Sequence, residues 1–207
     1  LLERVRKVAN GAAIMTETQV SDNVLAAVSN LLPNDPLCDT MQRNLELLGP
    51  PLFENEDYAY AEKFVKTFST DDISESYKNT GIIQAENVSL ANFVVPKGVV
   101  PMSVVGSTDV GDVSWVVPTV QLWGGNYAIG TPFHSWQMVA QGKSAIAHKG
   151  MTHAASIMAA TAVDVILDKE LRMKALADLN RRVGSEGYIC PLPKGSTPPI
   201  KAMGGTL

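Results

Sequence analysis

The sequence predicts an α/β fold, and two stretches carry that expectation. "WVVPTVQLW" (115–123) is short and apolar on both faces, the pattern of a strand buried on two sides. "AIAHKGMTHAASIMAATAVDVILD" (145–168) is a long helical run surrounded almost completely by apolar and small residues, which calls for burial against a sheet. His148, His153 and Asp164 interrupt that run and make it a poor membrane span.

The elements follow in order. Leu1, Leu2, Val5, Val8 and Ala12 recur at helical spacing, with Arg4, Arg6 and Lys7 on the other face. No cap residue precedes this helix and no methionine starts it, so the chain is expected to begin partway through a helix, as a fragment. Its charges lie inside the amphipathic run, unlike those of a signal peptide. "TQVSDNVLAAVSN" (18–30) mixes β-branched residues with turn formers and reads as a strand ending near Asn30.

"NLLPNDP" (30–36) marks a boundary, because Pro33 and Pro36 resist helix continuation. Asp35 is the expected cap of a helix opening at Pro36 and stopping at Gly49-Pro50-Pro51. A second helix, "ENEDYAYAEKFVKTF" (54–68), starts with acidic residues that suit its positive end and finishes with Lys66 near the other. Residues 69–114 are rich in loop formers. Ser144 is the expected cap of the helix at 145–168, residues 169–183 form a charged outer helix, and the tail is extended.

At 207 residues the chain has room for one domain or a domain and a half. Its 17 basic and 21 acidic residues include no long basic block, which argues against nucleic acid as the main partner. Cys38 and Cys190 are too few for a disulfide framework, so a reduced, cytoplasmic setting is expected.

All three histidines lie within "GTPFHSWQMVAQGKSAIAHKGMTHAA" (130–155). His148 and His153 are five apart, about 140° around a helix, and so do not share one ion as an i, i+4 pair does. Both read as core histidines hydrogen-bonded to a neighbour. His134 differs, because it sits on a glycine-rich loop between the expected strand and helix, where ligands collect in α/β folds. One histidine does not make a zinc site. Asp109 and Asp112 in "GSTDVGDVSW" (106–115) are candidate carboxylates, or turn formers bonding nearby amides. Spacing alone leaves both readings open.

"GSTDVGDVSWVVPTVQLW" followed by "GTPFHSWQMVAQGKSAIAHKGM" resembles the M20 family of metallo-aminohydrolases, and "RVRKVANGAAIMT" and "VSNLLPNDPL" extend the likeness over nearly the whole chain. The resemblance implies the end of a lid or dimerisation domain, its last helix and strand, at 1–32. It implies the C-terminal half of a catalytic domain, a mixed sheet flanked by helices, at 33–207. His134 then matches a metal ligand, and Gly106, Ser107 and Asp109 lie near substrate. Asp112 receives no role.

The implied reaction is hydrolysis of an amide between an acyl or aroyl group and an amino acid such as glutamate. It would use two divalent ions, zinc or manganese, about 3.5 Å apart. The other ligands and the general-base glutamate belong to the half of the family's catalytic domain that is not in this sequence, so no catalytic residue is expected here and the 207 residues alone should be inactive. Expected partners are the small amide substrate, the N-terminal half or a companion subunit, and a second copy of the chain in a homo-oligomer. Nucleic acid and membrane are not expected. Two other readings stand beside this one: a non-catalytic assembly subunit completed by another polypeptide, and a free-standing small-molecule binding domain built on the 106–134 loops.

Overall fold

The computed structural model describes residues 1–80, 88–99, 108–200 and 203–204; among these the chain is helical and forms no strand. The described helices are α1 (Leu2–Met15), α2 (Asp35–Leu48), α3 (Asn55–Val65), α4 (Thr70–Thr80), α5 (Val110–Ser114), α6 (Trp136–Gln141), α7 (Ala145–Leu167) and α8 (Lys169–Val183). The expected mixed α/β sheet is therefore wrong, as is the strand closing the lid segment.

Local bonding explains the failure at 115–123. Trp115, Val116 and Val117 donate to Asp112 or Val113 carbonyls at 3.0–3.3 Å, so they extend the turns of α5 instead of lying straight. Pro118 then follows, with no amide to give a ladder. Val116, Val117 and Trp123 are exposed, the reverse of a strand covered on both faces. At 18–30 the β-branched residues make an irregular run, held near its end by side chains instead of a neighbouring strand.

Helix α7 is buried on one side only. Ile146, Ala147, Gly150, Ile157 and Thr161 are covered, and among the described residues α7 lies against α2 and α8 and not against a sheet. Its length and apolar composition would suffice to cross a membrane, although Asp164 pairs with Arg43 of α2 at 3.1 Å. Small residues bring its backbone close to the preceding loop. A Cβ on Gly150 would stand 2.7 Å from the Gly125 carbonyl oxygen.

Helix α2 is held by buried polar groups as well as by Leu37, which packs with Leu171 and Ala175 of α8. Asn34, not Asp35, caps it: the Asn34 side chain accepts from the Leu37 amide and donates to the Ala175 carbonyl at 2.8 Å. Asn44 donates to Thr161 and Asp164 of α7. Gly49, at φ +69, ends the helix as the sequence suggests.

Helix α3 starts with a reciprocal cap between Glu54 and Asp57. Its Ala61 enters a cluster with Leu90, Ala128 and Ile146, lined by Phe64 and Phe68. Helix α4 occupies part of the stretch read as loop, and Ser69 and Asp72 cap each other at its start. Helix α1 has no side-chain cap, and only its Ala13 is buried.

Candidate functional site

The loop that carries His134 is built from its ends inward. Ile129 donates its amide to the Ser89 carbonyl at 3.0 Å, and Gly130 donates to the Ser76 hydroxyl at 3.1 Å. Gly130 is at φ +94, and a Cβ there would meet Ile73 at 2.8 Å, so only glycine fits this approach to α4. On the far side Ser135 caps α6 by accepting from the Met138 amide, while its hydroxyl donates to the Pro132 carbonyl at 2.7 Å. Gln141, at the end of α6, reaches back to Ala128 and Thr131.

Between these anchors His134 adopts φ +59, one of two non-glycine residues in the left-handed region among the described residues. That backbone costs an L residue about 1–2 kcal/mol. Its imidazole is exposed and has no hydrogen-bond partner among the described residues. Both ring nitrogens are therefore open. Phe133 and Trp123 meet edge to face beside it, with ring centroids 6.4 Å apart, and both are exposed.

Of the other expected site residues, only Asp109 is among the described ones. Asp109 is exposed at the start of α5 and makes no capping bond. Gly106 and Ser107 lie outside the described residues. No group of three His, Cys, Asp or Glu side chains able to hold a metal ion forms among the described residues. His134 suits the role of one ligand; the described chain does not by itself build a metal centre.

Asp112, left without a role by the sequence, sits at a junction. It accepts the Tyr188 hydroxyl at 2.8 Å and the Ser29 amide at 3.3 Å. The Tyr188 hydroxyl, and then the Ser29 donors, hold its carboxyl below the usual range despite some loss of solvent, and the same bond pushes the Tyr188 phenol up. Nearby, Leu32 donates to Ser114 at 2.8 Å and Trp115 donates its ring N–H to Asn30 at 2.9 Å. Residues 29–32 are thus clasped to α5.

The helix histidines divide. His153 is half-buried and donates through Nε2 to the Gly49 carbonyl at 2.7 Å, tying α7 to the end of α2. His148 is exposed, which corrects its reading as a core histidine. The two border a shallow groove with Pro50, Pro51 and Lys149. Lys149 itself pairs with buried Asp57 at 2.6 Å and with Glu54 at 2.9 Å. Burial drives the Asp57 carboxyl up, but the Glu54 amide and the Lys149 ammonium outweigh it and hold it low.

No family model matches this sequence. No solved structure matches it. Among curated proteins, it is 39% identical over 212 aligned residues, 97% of the chain, to a p-aminobenzoyl-glutamate hydrolase subunit from Escherichia coli (strain K12). The match takes in 44% of that protein, so the chain spans a little under half the length of the relative it matches. Over nearly its whole length, this chain is a homologue of a p-aminobenzoyl-glutamate hydrolase subunit.

Proposed function

We propose that the chain is one part of a metal-dependent amidohydrolase that separates an acyl or aroyl group, of the p-aminobenzoyl kind, from an amino acid such as glutamate. The observation that carries this reading is the 39% identity running through 97% of the chain, with His134 inside the matched sequence. The open imidazole on a strained, well-anchored turn supports His134 as one donor to a divalent ion, zinc or manganese, in a two-ion centre. The remaining donors would come from outside these 207 residues. Within the chain, Asp109 and its neighbours Gly106 and Ser107 are the proposed substrate contacts.

The test is made on the complete enzyme. His134→Ala should lose one of two bound ions and lower turnover by several orders of magnitude, since residues of one catalytic unit fail together. In the absence of metal its melting temperature should barely change, because the side chain is exposed. Two ions retained with near-normal turnover would overturn the assignment.

A second reading, an assembly part completed by another polypeptide, draws on the apolar surface. Val116, Val117, Trp123, Phe133, Trp136 and Val139 are all exposed, and the Trp123 and Phe133 rings meet. The relative's name calls it a subunit, which suits a companion chain or a second copy. Co-expression of the chain with a polypeptide matching the other part of the relative decides this. Co-purification with gain of solubility supports it, and two independently monomeric, soluble products would refute it.

A further inference from the structure

We infer that Gln141 is a positioning residue for His134: its buried amide closes the 128–141 loop into one unit and sets the direction in which the imidazole is presented. The inference rests on the reading of His134 as a metal donor. Gln141 is 0% exposed although it ends a short surface helix. Its Oε1 accepts the Ala128 amide at 2.9 Å, and that donor fixes which end of the side-chain amide is oxygen. Its Nε2 donates to the Thr131 hydroxyl at 2.9 Å and to the Gln137 carbonyl at 3.1 Å. The Thr131 hydroxyl in turn donates to the Ala128 carbonyl at 2.7 Å, closing a ring of bonds.

Every polar atom of this buried side chain is used. An apolar side chain of the same size would fill the space but would not choose among loop conformations, whereas a satisfied amide does. The ring ends at Thr131, and the Ser135 cap begins just beyond His134. His134 therefore sits between two anchors, at φ +59, a conformation that persists only where the flanking structure over-determines it. Gln141 makes no hydrogen bond to the imidazole and acts on it through the backbone.

The experiment uses the complete enzyme and zinc(II) alone as probe. Zinc affinity is measured by competition with a chromophoric chelator, and turnover at low and at saturating zinc. Gln141→Met keeps the volume and removes the amide. It should weaken one zinc by about tenfold or more, as changes behind a ligand do, and turnover should recover as zinc is raised. Gln141→Glu, which keeps the acceptor for Ala128, should fall between it and the parent. Thr131→Val removes one arm of the ring without opening the core and should shift affinity the same way by less. It answers the question should Gln141→Met fail to fold. His134→Ala should lose the ion and not recover. Zinc affinity unchanged in Gln141→Met and in Thr131→Val, beside an impaired His134→Ala, overturns the positioning role. Normal zinc binding and turnover in His134→Ala overturn the metal-donor reading, and this inference with it.

Discussion

Helices α1 and α2 are each 14 residues long and both alternate apolar and polar faces, yet the molecule treats them oppositely. Helix α2 buries Leu37, Thr40, Met41 and Asn44, is capped by Asn34, and lies on α7 and α8. Helix α1 buries Ala13 alone and leaves Leu2, Val5 and Val8 in the open, Val8 at 73% exposure. Amphipathicity is common to both. What separates them is a set of buried polar bonds to distant segments, which α2 has and α1 lacks. A stripe of apolar residues says that a helix wants a partner; the polar bonds say which one it has.

Three changes test that contrast. The largest effect should come from Gly150→Ala, on the helix that supports α2. The added methyl would stand 2.5 Å from the Asn126 Cβ and 2.7 Å from the Gly125 carbonyl oxygen, so backbone must move. Overpacking of about 3 kcal/mol outweighs the gain in helix propensity, about 1 kcal/mol, leaving a net loss near 2 kcal/mol. Urea unfolding measures it, and an unchanged midpoint would show that α7 does not press on the 124–126 loop.

Asn34→Ala comes next. It removes the cap of α2 and the donor to Ala175 together, at a cost of about 1.5 kcal/mol. A loss below about 0.5 kcal/mol would place the rooting of α2 in its apolar contacts and remove the distinction drawn above. The smallest effect belongs to Val8→Lys on α1, which should stay within about 0.5 kcal/mol in thermal unfolding. A loss several times larger would mean that α1 is covered in solution, and the two helices would then be alike.

Helix positions were the most legible part of the sequence. Gly49 and Ser144 stop and start helices where expected, and α8 runs over Lys169–Val183 as its charge pattern predicts. The strand errors share one cause. A run of valines reports a preference for an extended, covered backbone, but the ladder that makes a strand depends on another segment coming alongside. Pro118 and the turns after α5 decided against it. Asn34 displaced Asp35 as cap because its amide reaches α8 as well, a contact invisible from local spacing. Helix α4 was announced by Ser69 and Asp72, a short signal overlooked among loop formers.

Of the site, the isolation of His134 on a loop was readable, while its left-handed backbone was not. Gln141 carried no local mark beyond a polar residue at the end of "WQMVAQ". Local spacing around Asp112 gave no hint of its bonds to Ser29 and Tyr188, which lie far along the chain in both directions.

That separation has a kinetic meaning. The Asp112 junction joins residues 83 and 76 positions apart, and the Asn34 bond to Ala175 spans 141. Helical proteins owe their quick folding to contacts between near neighbours, since closing a long loop costs entropy before any bond rewards it. Here the helices can form early and locally, but the clasps that orient them must wait for remote stretches of chain to meet. The assembly of this helical chain is therefore timed by its loops.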